Sequence, residues 1–151
     1  MTPKPIAYIQ AAWHQEISDH CKDAFLAEMA SHGYPAARVE LFSAPGSLEI
    51  PLMAKKLAKT GRYAAVCASG LVVDGGIYRH EFVAQAVLQG IVQASLETEV
   101  PVLSAVLTPH HFHEHSIHQE FFKEHMRTKG KELAESCLAI IERLAAVEAL
   151  A

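Results

Sequence analysis

The chain has 151 residues, half of them hydrophobic, and a net charge of −4 with histidine neutral. That length suits one compact domain over residues 1–151 with a core of useful size. Its 13 lysines and arginines are scattered rather than gathered on one face, which argues against nucleic acid as a partner. No apolar run reaches the ~20 residues of a membrane span, and the N-terminus lacks the pattern of a secretory leader. Cys21, Cys67 and Cys137 are odd in number and widely spaced in apolar surroundings, as expected of reduced core thiols in a cytoplasmic protein.

Ile6 to Gln10 reads as a first strand behind Pro5, followed by a loop through Trp13 and His14. The spacing of Ile17, Cys21, Ala24, Phe25 and Met29 predicts a helix from about Glu16 to His32, stopped by Gly33. Arg38 to Phe42 alternates as a second strand, and Ser43-Ala44-Pro45-Gly46 turns the chain. Ser47 is then placed to cap a helix that tolerates Pro51 in its first turn and ends at Thr60-Gly61. Ala64 to Val73 is apolar enough for a strand buried on both faces, and Asp74-Gly75-Gly76 reverses it into a helix from Glu81 to Leu96. Val102 to Leu107 is a fourth strand. After a histidine-rich segment reaching His125, a last helix is expected from about Lys129 to Ala149. Strand and helix alternating four times is the grammar of an α/β protein: a flavodoxin-like three-layer sandwich with a four-stranded parallel sheet and helices on both faces.

In such a sheet the loops leaving the carboxyl ends of the strands converge on a ligand crevice. The first carries Trp13, which is equally suited to stacking on a flat ring or to covering the core. The second carries Ser47, Leu48 and Glu49, either a plain turn or a set of polar groups for a ligand. Arg79 and His80 stand where the third loop meets a helix N-terminus, a place that favours an anion and holds an imidazole neutral enough to move protons. Six of the ten histidines lie between His110 and His125. They fit no standard zinc spacing and have no cysteine beside them, so a cationic rim or plain surface is the better reading and no metal is expected. Neither a dinucleotide fingerprint nor a P-loop is present.

Taken together and in order, Trp13, Pro45-Gly46-Ser47-Leu48-Glu49-Ile50-Pro51, Gly70 to His80 and Lys129-Gly130-Lys131-Glu132 resemble the 6,7-dimethyl-8-ribityllumazine synthases. Gly75-Gly76-Ile77-Tyr78-Arg79-His80 and the histidine-rich fourth loop look most similar to the second, decameric branch of that family. The resemblance implies a condensation without cofactor: 5-amino-6-(ribitylamino)uracil and 3,4-dihydroxy-2-butanone 4-phosphate join to form the lumazine, and phosphate leaves. It further implies that Trp13 stacks on the pyrimidine and that Ser47, Leu48 and Glu49 hold it with its ribityl chain. Leu71, Val72 and Val73 would present backbone groups, and Gly76 and Ile77 would cradle the phosphate. His80 would shuttle protons. Ser104, His118, Lys129 and Glu132 would come from a neighbouring copy in a homopentamer or homodecamer. The family's Gly-Ala-Thr-x-His is one residue shorter than the segment here, so Arg79 and His80 both remain candidates for the shuttle. A lumazine- or flavin-binding protein with little turnover is the alternative, and an assembly scaffold of the same fold a third reading.

The family's phosphate-binding arginine lines up with His118, which attracts an anion only while protonated. Apparent affinity for the phosphate substrate is therefore expected to weaken above about pH 6.5, the ordinary histidine value. A KM that stays flat from about pH 6 to pH 8 would remove His118 from that role.

Overall fold

Four short apolar stretches form strands β1 (Ile6–Ala11), β2 (Val39–Ala44), β3 (Ala65–Leu71) and β4 (Val102–Leu107). They were traced in a computed structural model that describes residues 3–72, 80–107 and 116–151, excluding the side chains of residues 80 and 116–119. All are parallel, in the order β2-β1-β3-β4. Every residue of the central strands β1 and β3 is buried, which is why they read as continuous apolar runs rather than alternating ones. Helices α1 (Gln15–Ser31), α2 (Ile50–Lys59), α3 (His80–Thr98) and α4 (Ser116–Glu148) follow the strands in turn. Parallel neighbours need such crossovers, and the result is the three-layer α/β sandwich expected from the alternation.

The pleat sorts side chains between two cores. Ala7, Ile9, Ala11, Val66 and Ala68 face α2 and α3, meeting Ile50, Ala54, Val87 and Ile91. Ile6, Tyr8 and Cys67 face α1 and α4, where they meet Ile17, Cys21, Phe25, Met126 and Cys137. Tyr8 brings a hydroxyl into that second core. It donates to Ser69 Oγ at 2.8 Å and lies 3.5 Å from Cys21 Sγ, while its ring tilts against Phe25 at 4.9 Å. Burial pushes the Cys21 thiol up to about 11 and raises Cys67 as well, so both are protonated and inert at neutral pH. Among the described residues, no helix is long and apolar enough to cross a membrane.

Four boundaries differ notably from those expected. β2 runs to Ala44, two residues beyond Phe42, and β3 ends at Leu71. Ser47 caps nothing: it opens a 3-10 turn (Ser47–Glu49), and α2 starts behind Glu49 without a side-chain cap. Pro51 does sit in the first turn of α2, where its missing N–H costs no bond. The largest difference is α4, which begins at Ser116 rather than near Lys129. Gly130 accordingly lies inside this helix, where α1 crosses it. A Cβ at Gly130 would fall 2.2 Å from the carbonyl oxygen of Cys21 and 3.0 Å from Ala24 Cβ. The obstacle is backbone, which no rotamer change relieves.

Gly130→Ala is therefore expected to lower unfolding free energy by upwards of about 3 kcal/mol, at the severe end of overpacking, as read by denaturant titration. Wild-type stability in the Gly130→Ala chain would mean that the two helices are not held this close. The three buried thiols are expected to resist a thiol reagent at neutral pH until denaturant is added.

Candidate active site

The carboxyl ends of β1 and β2 are tied together by the Ala12 N–H, which donates to the Ala44 carbonyl at 2.9 Å. The first loop is short because His14 takes a left-handed conformation (φ 54°) and turns the chain at once into α1. Trp13 is left pointing outward, 66% exposed. In the second loop the Glu49 N–H donates to the Gly46 carbonyl at 3.3 Å, closing the 3-10 turn. A Cβ on Gly46 would lie 3.2 Å from Glu49 Oε1 and 4.0 Å from the Trp13 indole nitrogen. The turn thus gathers an indole and a carboxylate around one bare backbone position. Leu48 stands beside them, about half exposed.

Ser47 turns the other way, toward β3. Its hydroxyl oxygen sits 2.9 Å from the position a Gly70 Cβ would occupy, and Ala11 Cβ is 3.1 Å from the same point. Leu71 and Val72 are both buried. The Val72 N–H donates to the Leu107 carbonyl at 2.8 Å, tying the end of β3 to β4. Val73, Gly76, Ile77 and Arg79 lie outside the described residues, as does the side chain of His80, whose backbone opens α3.

A second constellation lies on the outer side of the sheet, at the edge strand β4. Ser104, Lys129, Glu132 and Ser136 line a groove of about 410 Å³ together with Leu88 and Leu133. Lys129 and Glu132 pair across one helical turn at 3.0 Å, and Ser104 Oγ accepts the Val106 N–H at 3.1 Å. Lys129, Glu132 and Ser136 fall on one face of α4 because three- and seven-residue steps return to the same side of a helix. β3 separates β4 from β1 and β2, so a single chain keeps this groove apart from the Trp13–Glu49 cluster. His118 lies in the first turn of α4 with its side chain outside the described residues, and residues 110–115 of the histidine run are outside as well. His125 is described, and its ring stacks nearly parallel on Phe121 at 6.1 Å. Among the described residues no group of His, Cys, Asp or Glu is placed to hold a metal.

Sequence reasoning missed the part played by Gly70. The signal was present, since glycine inside a buried strand marks a close approach by another part of the chain. It also mistook Ser47 for a cap, because residue type and position before a helix match a cap whether or not the hydroxyl turns back to the helix.

The model of the 6,7-dimethyl-8-ribityllumazine synthase family matches residues 4–145. A 6,7-dimethyl-8-ribityllumazine synthase of Rhodococcus erythropolis is 53% identical over 142 residues, covering 94% of this chain and 92% of its own length. The 6,7-dimethyl-8-ribityllumazine synthase 2 of Pseudomonas syringae pv. tomato is 51% identical over 145 residues, covering 96% of this chain and 85% of its own. The 6,7-dimethyl-8-ribityllumazine synthase 1 of Caulobacter vibrioides is 34% identical over 142 residues, covering 94% and 91%. The match runs through all four strands and through both constellations at the sheet's edges, and the chain belongs to the 6,7-dimethyl-8-ribityllumazine synthase family.

Proposed function

We propose that the chain condenses 5-amino-6-(D-ribitylamino)uracil with 3,4-dihydroxy-2-butanone 4-phosphate to give 6,7-dimethyl-8-ribityllumazine, as a cytoplasmic transferase of riboflavin biosynthesis. The observation that carries this reading is the near-complete match to synthases identical at half of their positions, over a fold that gathers Trp13 and Glu49 around Gly46. The uracil's 5-amino group attacks the ketone, and loss of water gives an imine. Removal of the C3 proton then expels phosphate and leaves an enol, which tautomerises to a ketone, and the ribitylamino nitrogen closes the ring on that new carbonyl with loss of a second water.

Each step asks for groups this chain can supply. The exposed Trp13 indole offers a flat surface to the pyrimidine, and Ser47, Leu48 and Glu49 offer a hydroxyl, an apolar flank and a carboxylate to the ring and its ribityl chain. Leu71, Val72 and Val73 present backbone polar groups. The phosphate is assigned to Gly76 and Ile77, beside Arg79 and ahead of the N-terminus of α3, where the helix dipole and a guanidinium favour an anion. His80 or Arg79 carries the protons that imine formation and phosphate elimination exchange.

The site needs a second copy of the chain. Ser104, His118, Lys129 and Glu132 are assigned to the neighbour's contribution, which agrees with Ser104, Lys129 and Glu132 lying at the far edge of the sheet from Trp13. Assembly has further support on α3, whose inner face is buried yet whose outer face still exposes Leu88, Val92 and Leu96 at four-residue steps. An exposed apolar stripe of that kind asks for cover.

The first test mixes the purified chain with both substrates and follows the lumazine chromophore against the uncatalysed background. Acceleration is expected; lumazine binding without acceleration would make the chain a binding protein of the same fold. Arg79→Ala and His80→Ala then divide the roles: loss of the shuttle lowers kcat by roughly 10²- to 10⁴-fold, whereas loss of a phosphate ligand mainly raises KM. Val92→Asp is expected to dissociate the assembly in sedimentation and to abolish turnover with it, because each site is completed by a neighbour. A Val92→Asp chain that is monomeric and fully active would overturn the shared site.

A further inference from the structure

We propose that Gly70 is a positioning residue: its missing side chain is the space that holds the Ser47 hydroxyl over the end of β3, at the site. The inference rests on the reading of Ser47 as a ligand-binding residue.

Gly70 is not there for its backbone. Its φ lies outside the left-handed region, and it pairs in ordinary parallel register with Val106 of β4. An alanine satisfies that conformation and loses less entropy on ordering, so glycine in this strand is a local cost. Space explains it. On the same face of β3, Val66 and Ala68 carry side chains into the α2–α3 core, and Gly70 leaves a gap in that row before Val72 resumes it. The neighbouring strands end in small residues, with Ala11 opposite Ala44 and both fully buried. Ala11, Ala44 and Gly70 form a floor of the smallest residues under the 3-10 turn, and Ser47 rests on the lowest part of it. Ser47 Oγ is 2.9 Å from the missing Cβ, closer than a methyl carbon and a hydroxyl oxygen pack.

The obstacle an alanine would meet has two parts. Ala11 Cβ at 3.1 Å and Ile50 Cδ1 at 3.9 Å require shifts of a few tenths of an ångström at most. The serine hydroxyl must leave, and it can do so by turning about one side-chain bond. Gly70→Ala is therefore expected to move the hydroxyl while leaving the fold standing, unlike Gly130→Ala, which meets backbone.

The experiment is a double-mutant cycle with Gly70→Ala and Ser47→Ala, read by lumazine binding through quenching of Trp13, the sole tryptophan, and by kcat and KM for the ribitylaminouracil. Each single variant is expected to weaken the lumazine Kd roughly fivefold, the size of one hydrogen bond between neutral groups, and to raise KM with kcat little changed. The double variant is expected to be no weaker than Ser47→Ala alone, because the alanine at position 70 then displaces nothing. Additive losses, or a Gly70→Ala chain that binds like wild type, would overturn the proposal. If Gly70→Ala does not fold, recovery of folding on adding Ser47→Ala supports it and failure in both backgrounds overturns it. A wild-type chain that neither binds nor forms lumazine overturns the site reading itself, an outcome separate from additivity in a chain that binds.

Discussion

The α4 side of the sheet depends on how closely α1 and α4 approach at Gly130. The Cys21 carbonyl occupies the space of the missing Cβ, so the helix axes are held nearer than any larger residue allows. Once Gly130, Leu133, Ala134 and Cys137 are turned inward by that contact, Lys129, Glu132 and Ser136 fall along the β4 side, where they line the groove with Ser104. The packing constraint and the placing of the polar residues are one event. A helix that shifted by a residue to relieve the crossing would turn by about 100° and carry Lys129 out of the groove.

The order of the strands sets the second constraint. Because β1 and β3 are central, the carboxyl-end loops of β1 and β2 lie on one side of the sheet and the β4 groove on the other. The small residues at the ends of β1, β2 and β3 let the Ser47–Glu49 turn settle close to the sheet, and settling turns Glu49 and Trp13 toward Gly46. On the proposed reading, one copy offers the ring-binding surface and its neighbour offers the Lys129 face. A monomer then has two half-sites and no complete one, which links activity to assembly without any switch between conformations.

Much of this was legible from residue order, for physical reasons that differ by element. β4 was readable to the residue because proline and threonine-proline bound a run that is apolar but for Ser104, and α1 to within a residue because its buried positions repeat every three or four places and Gly33 turns at φ +91°. The start of α4 was not read. Ile117, Phe121, Phe122 and Met126 do carry helical spacing, but histidines and charges crowd the stretch and Phe121 is 63% exposed, so the pattern looks like a loop that ends near Lys129. Gly130 was read as part of a helix opening, when its role is a contact with a residue more than a hundred positions away. The direction of Ser47 was illegible for the same reason: a cap is a local property, whereas the room its hydroxyl finds at the bare end of β3 involves a residue twenty-three positions on. Arg79 and His80 were expected as a pair from the strand-to-helix transition, which says where charge gathers and not which group moves the proton; Arg79 and the His80 side chain lie outside the described residues.

The pairing of Lys129 with Glu132 bears on how such a site discriminates. At 3.0 Å, with both side chains more than a third exposed, the pair contributes at most about 1 kcal/mol in a chain standing alone. It is strong enough to keep the ammonium on the groove side of α4 and too weak to oppose a better partner. When a neighbouring surface covers the groove, solvent screening falls and the same charges interact more strongly. An acceptor brought there by a second copy, or by a ligand bound on it, can then share the ammonium without the pair having to break. On the proposed reading the contact selects for an approaching negative or acceptor group only after assembly has excluded water, so the polarity of this groove is expressed in the oligomer and stays muted in the single chain.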